Sequence, residues 1–238
     1  MQRKRPALFR GRHFEDQIIV LCVRWYLRYS LSYRDLEEMM AERNLGVDHS
    51  TIARWVLRYG GELNKRIRRE LRHPNRSWRG MRRTFESPGA GLTCTAPSIR
   101  RAIRSDFMLS PNRDAIAAKH FLRWTLTRVG EIRPRVINVD GHPAYRQVIA
   151  DLKRAGELGR TCRCRPAPYL NNVIEQNQRF IKKRIAASLW FRSVDGARNT
   201  IEGYEAMHMI RKGQLRWLPK GDTVGQVRFV NHIFGLAV

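Results

Sequence analysis

One short run constrains the fold of this chain more than any other. Arg135-Val136-Ile137-Asn138-Val139-Asp140 gathers three β-branched apolar residues and then ends on a carboxylate. A run this short and this apolar reads as a buried strand. Residues 143–155 follow with Ala144, Val148, Ile149 and Leu152 at helical spacing. Arg163 to Leu170 is a short extended stretch with two prolines, and Asn171 caps the next helix, whose Val173, Ile174, Ile181 and Ile185 face a core. Residues 194–211 give a further amphipathic helix through Ile201, Tyr204, Met207 and Ile210. Strand, helix, extended piece, helix is the pattern of an α/β fold.

The same segment orders its charges. Glu175 comes 35 positions after Asp140, and Glu175, Arg179 and Lys182 fall at i, i+4 and i+7 of the capped helix. They therefore share one face. A carboxylate at a strand's C-terminal end can meet a helical carboxylate over the sheet edge. Such oxygen ligands suit hard divalent cations, and paired ions activate an attacking hydroxyl and stabilise the leaving oxygen of a phosphodiester. Lys182 would hold a phosphate beside them. Taken singly, Asp140 is a strand-end turn former, and Glu175 with Lys182 is a solvated helix face. Their joint spacing carries the reading. A metal-dependent strand-transfer site needs three carboxylates, and this segment offers two.

The charge balance agrees with such chemistry. The 238 residues hold 46 Lys and Arg against 21 Asp and Glu, a net +25. That excess favours a polyanionic partner, nucleic acid first, over a merely solvated basic surface. The basic residues are spread among apolar positions and form no single tail. Cys22 sits on an apolar helical face, while Cys162 and Cys164 make a lone C-x-C, weak evidence for zinc. Met1-Gln2-Arg3-Lys4-Arg5-Pro6 opens no secretory signal, and no run approaches a membrane span. A cytoplasmic, nucleoid-associated protein with no membrane partner is expected.

The N-terminal third reads as three helices. Residues 14–28 carry Ile18, Ile19, Leu21, Cys22, Trp25 and Tyr26 on one side. Ser32 starts the second helix with Asp35 three residues on, close to a capping box, and Leu36, Met39 and Met40 face inward. Asn44-Leu45-Gly46-Val47 makes a turn, then Asp48 or His49 caps a third helix whose Ile52, Trp55 and Val56 point to the core. This resembles a helix-turn-helix unit, in which the start of the last helix enters the major groove. His49, Ser50, Thr51 and Arg54 would then face DNA, with Arg54 on guanine or phosphate. An ordinary three-helix core with a polar surface is the plainer alternative. Lys65, Arg66, Arg68, Arg69 and Arg72 form a basic helix end suited to phosphates, and Pro74-Asn75 marks a boundary. The expected domains are 1–73, all-α, and 74–238, α/β.

At these residues the chain resembles the bacterial insertion-sequence transposases of the DDE type, the short ones that resolve through cointegrates. The likeness rests on Gly11-Arg12-His13-Phe14, Trp25-Tyr26, Ser32-Tyr33-Arg34-Asp35-Leu36, Asp48-His49-Ser50-Thr51, Asn138-Val139-Asp140, Tyr169 to Glu175 and Arg211-Lys212-Gly213-Gln214. It covers about residues 10–79 and 106–235. It implies an RNase H-like, integrase-like core behind the helix-turn-helix domain. It also implies Asp140 and Glu175 as the second and third catalytic and metal-binding carboxylates, and Lys182 as the cation that follows. Two Mg2+ (or Mn2+) ions, double-stranded DNA ends with terminal inverted repeats, and a homo-oligomer, a dimer on DNA, are implied likewise.

The family's first aspartate is missing. It should follow Ser77-Trp78-Arg79 in a Val-Asp-Glu-Thr-Tyr run, near Met81, but the chain reads Gly80-Met81-Arg82-Arg83-Thr84-Phe85 and has no carboxylate until Glu86. Residues 80–105 hold five Arg, one Glu and scattered Pro and Gly without strand alternation. With permitted codons, a reading that starts on the last base of codon 80 spells Asp-Glu-Thr-Tyr-Leu. The same shift hides an apolar hairpin text through Ser105 that runs into Asp106-Phe107-Met108-Leu109. Residues 80–105 are therefore read as a frameshifted segment, and they are expected to lack regular paired strands. The expected function is DNA binding and phosphodiester strand transfer with the chemical step impaired. The alternative is a non-catalytic helix-turn-helix protein acting as a repressor or dominant-negative remnant.

Overall fold

The computed structural model describes residues 5–72, 77–87, 90–99, 108–110, 115–129, 133–139, 143–166 and 194–236. After a 3-10 turn at Ala7–Phe9 come α1 (Asp16–Arg28), α2 (Tyr33–Ala41) and α3 (His49–Ile67). Strands β1 (Ser77–Ser87), β2 (Ala90–Ile99) and β3 (Met108–Ser110) precede α4 (Ala115–Val129). Then follow β4 (Val136–Val139), α5 (Pro143–Arg154), β5 (Arg163–Pro166), α6 (Val194–Arg211) and α7 (Thr223–Ile233). By packing, the chain forms two units, Met1–Leu71 with Lys183–Val238, and Arg72–Lys182.

In the first unit, local chemistry sets the helix starts. The Ser32 N–H donates to Asp35 Oδ2 at 2.7 Å and the Asp35 N–H donates to Ser32 Oγ at 3.1 Å, a complete capping box. Asp48 caps α3 by accepting from the Ser50 N–H at 2.8 Å. Between them Asn44 takes a left-handed φ of 56°, which ends α2. Ile19, Cys22, Tyr26 and Leu27 of α1, Leu36 and Met40 of α2, and Ile52, Val56, Tyr59 and Leu63 of α3 are buried together. Tyr26 stacks on Tyr33 with ring centroids 4.3 Å apart and lies 5.8 Å from Tyr204 of α6.

The C-terminal helices complete this core. Tyr204, Met207 and Ile210 of α6 and Val230 and Phe234 at α7 join it, and Phe234 meets Phe9 at 6.1 Å. The crossing of α3 and α6 runs through two glycines. A Cβ on Gly60 would stand 2.8 Å from the Asn199 carbonyl oxygen, and one on Gly203 would stand 3.0 Å from the Gly60 Cα. Only hydrogen-sized side chains allow helices this close. The expectation of one core over 74–238 differs from this grouping, since Lys183–Val238 packs with the N-terminal helices. The amphipathic stripe of 194–211 is there as read, but a stripe does not name the partner that covers it.

The second unit is a five-stranded sheet in the order β3-β2-β1-β4-β5. β1, β2 and β3 pair antiparallel, and β4 runs parallel to both β1 and β5. Ile137 and Val139 of β4 are buried with Leu122 and Leu126 of α4 and with Tyr145, Val148, Ile149 and Leu152 of α5. Arg123 of α4 donates from Nε to Glu157 Oε2 at 2.8 Å and ties α4 to the turn after α5.

The expectation that 80–105 lacks paired strands is overturned. β1 and β2 form a regular hairpin with ten registered pairs from Trp78–Ile99 to Ser87–Ala90. Backbone groups make a ladder whatever the side chains are, so weak alternation does not forbid pairing. Pro97 is tolerated because β3 pairs only with Thr93–Thr95, which leaves β2 with one described neighbour at that position.

Candidate nucleic-acid face and catalytic segment

The four residues read as DNA-facing open α3, and the structure gives each a partner or an exposure. His49 Nδ1 lies 3.0 Å from Glu37 Oε2 and 3.3 Å from Asp48 Oδ2, which draws the half-buried imidazole toward α2. The Ser50 hydroxyl donates to Asp48 Oδ1. Hydrogen bonds from the Ser50 hydroxyl and N–H hold the Asp48 carboxyl below its ordinary value. Arg54 is exposed and donates from Nη2 to Thr51 Oγ1 at 2.8 Å, which fixes the guanidinium above the helix face. Of the four, Arg54 is exposed and held by Thr51, while His49 and Ser50 are tied into the cap.

Sequence reasoning missed Arg12 and Arg58. Arg58 stands exposed one turn after Arg54. Arg12 arrives from the Gly11–Phe14 loop, and together they edge a concave space of about 450 Å³. The i, i+4 spacing of Arg54 and Arg58 was the available signal for Arg58, and no helical spacing points to Arg12.

Glu37, Asp48 and His49 bring three ligand atoms within 4.8 Å of one another. Their present bonds account for them, because Asp48 caps α3 and His49 joins α3 to α2. The C-x-C pair is packing. Cys162 is buried and Cys164 half-buried against the sheet core, and burial pushes both thiols up.

Asp140, Glu175 and Lys182 lie outside the described residues. Their surroundings in the chain are partly visible. Asp140 is the residue after β4, whose Asn138 pairs in register with Arg79 of β1. Two positions beyond that pair in sequence come Met81 and Asp140.

A family model for a DDE domain matches residues 101–214. The transposase for insertion sequence-like element IS431mec of Staphylococcus aureus is 30% identical over 210 residues, which is 88% of this chain and 91% of the relative. The transposase for insertion sequence element IS257 in transposon Tn4003, from the same organism, matches with the same identity and coverage. Among solved structures, the HTLV-2 integrase catalytic core domain in complex with magnesium aligns at a TM-score of 0.44 with 12% identity, over 60% of this chain and 95% of that one. A chain of the simian T-cell lymphotropic virus intasome with PP2A regulatory subunit B56 gamma aligns at 0.45 with 16% identity, over 58% of this chain and 49% of that one.

Proposed function

The chain belongs to the DDE-type transposases of insertion sequences, and from that membership we propose a protein built to hold the ends of a DNA element and perform phosphodiester strand transfer, in which the chemical step is lost. One observation carries the loss. β1 runs parallel to β4, the strand that Asp140 follows, yet no Asp or Glu occurs from Ser77 to Phe85. The position where the family places its first carboxylate is Met81, whose thioether is no ligand for a hard cation.

Asp140 and Glu175 are oxygen donors of the right class for Mg2+ or Mn2+. Two ions shared among three carboxylates do not fit a chain that supplies two, so no step runs through a metal pair here. In an intact relative the ions would activate the attacking hydroxyl and steady the leaving oxygen. In this chain Lys182 keeps the role of holding a phosphate near the vacated position. The strand order, with three antiparallel strands and then two parallel ones, supports an RNase H-like, integrase-like core.

Binding is the part retained. α2, the turn through Asn44 and α3 form the helix-turn-helix, with Thr51 and Arg54 toward the major groove and the basic run from Lys65 to Arg72 on phosphates. The partner is double-stranded DNA with terminal inverted repeats, held by a homodimer in the nucleoid. Among the described residues no helix is long and apolar enough to cross a membrane. The surviving activity is that of a repressor or a dominant-negative partner. The test is a pair of assays on the full chain. A gel shift with the element's terminal repeat should show binding, and incubation of the same DNA with Mg2+ should leave it uncut. Cointegrates recovered from cells that make this polypeptide would overturn the loss of chemistry.

A further inference from the structure

The space beside α3 has features that a duplex-binding helix alone does not need. Its walls are Arg12, His13 and Phe14 on one side and Arg54, Trp55 and Arg58 on the other. Its volume of about 450 Å³ falls in the range of roughly 300–1,000 Å³ that holds small organic ligands. A duplex phosphate rests on a helix surface and needs no such depth. Three guanidinium groups edge the space, and no carboxylate is among its described lining residues. Half-buried Phe14 gives it an aromatic wall, held from behind by the buried Trp55, which it meets edge to face with ring centroids 5.3 Å apart.

The rim is built before any ligand arrives. Gly11 turns the chain at a φ of 72°, a left-handed conformation that favours glycine. Arg5 then clamps the loop, donating from Nη1 to the Arg12 carbonyl at 2.6 Å and from Nη2 to the Phe14 carbonyl at 2.5 Å. Its Nε is anchored on Asp16 Oδ1 at 2.5 Å, at the start of α1. Thr51 fixes Arg54 on the opposite wall. Arg12 Nε is buried with no hydrogen-bond partner, a donor that an anion would satisfy.

We propose that this pocket takes one unstacked nucleotide of a DNA strand, its base against the half-buried Phe14 and its phosphate among Arg12, Arg54 and Arg58. Base-on-aromatic stacking beside arginines is how single strands are held without regard to sequence. The proposal rests on the reading of α3 as a DNA-facing helix and adds a site for a nucleotide drawn out of the duplex near the bound end.

The test uses the full chain and one labelled oligonucleotide carrying the terminal repeat, offered as a single strand and as a blunt duplex, with affinity read by fluorescence anisotropy. Phe14→Leu keeps every charge and removes an aromatic wall, and Arg58→Gln removes the charge of an exposed side chain. Each should weaken single-strand binding by about tenfold or more while duplex binding falls less than about threefold. Equal losses on both probes, or no loss on either, would overturn the pocket. Should Phe14→Leu lower the melting temperature, Arg58→Gln alone decides the matter. A parent chain that holds the duplex but not the single strand refutes the pocket and spares the helix-turn-helix. A parent that holds neither removes both.

Discussion

The contact between Gly60 and Gly203 gives a sharp test of how the first unit is held together. In Gly60→Ala the new methyl carbon would sit 2.8 Å from the Asn199 carbonyl oxygen and 3.6 Å from the Gly203 Cα. Both neighbours are backbone, so no side chain can swing aside. α6 must move as a body, which loosens Tyr204, Met207 and Ile210 from the shared core. Overpacking of this kind costs about 2–3 kcal/mol. Alanine is the better helix former by about 1 kcal/mol. The net expectation is a loss of about 1–2 kcal/mol, or about 2–8 °C in the melting temperature. Thermal melts followed by circular dichroism measure it. Gly46→Ala is the internal control, because its Cβ meets nothing within 4 Å and its φ is not left-handed. That variant should gain a few tenths to about 1 kcal/mol from the unfolded chain's lost freedom. A Gly60→Ala protein that melts at or above the parent would refute the close approach of α3 and α6.

Three further outcomes are expected. Ser32→Ala removes one half of the capping box on α2 and should cost about 1 kcal/mol in chemical denaturation. His208 is held neutral, its pKa lowered to about 3 by burial and then by Lys212 and Arg211. The unfolded chain takes up a proton below about pH 6.5 that the folded chain refuses, so this stability is complete above that pH and is lost on acidification, by up to about 1.4 kcal/mol per pH unit. Denaturation curves at pH 7 and pH 5 should therefore diverge more for the parent than for His208→Gln, and equal slopes would refute the assignment. Sequencing the gene across codons 78–107 should reveal Asp-Glu-Thr-Tyr in the frame that starts on the last base of codon 80, and a frame without those codons removes the frameshift.

What was legible in the sequence was what adjacent residues decide. Ser32 with Asp35 and the cap at Asp48 are chemistry within three residues, and both helix starts formed as read. Ile52, Trp55 and Val56 are buried on the face their spacing indicates. The β1–β2 hairpin was not legible, because Arg79, Arg82 and Arg83 break any alternation in β1 while the ladder depends on backbone alone. The partner of α6 was not legible either. Its apolar stripe suits a sheet as well as a helix, and the deciding feature is a pair of glycines more than a hundred residues apart in sequence. Arg12 shows the same limit in the candidate site. Its place beside Arg58 depends on how Arg5 folds the loop back, which no local pattern encodes.

The first unit is assembled from both ends of the chain, and that fixes an order of events during synthesis. When residues 5–71 leave the ribosome, Tyr26, Tyr59 and Phe9 still lack Tyr204 and Phe234 to close over them. The packing of α3 is therefore completed only after the last forty residues or so are made. A slip that ran into an early stop would leave the aromatic face of the first unit uncovered, a fragment open to proteases. A slip that regains its frame by residue 106 leaves the closing helices intact. Under the proposed frameshift one lesion would remove the first carboxylate and leave both closing helices in place, the combination a dominant-negative protein requires.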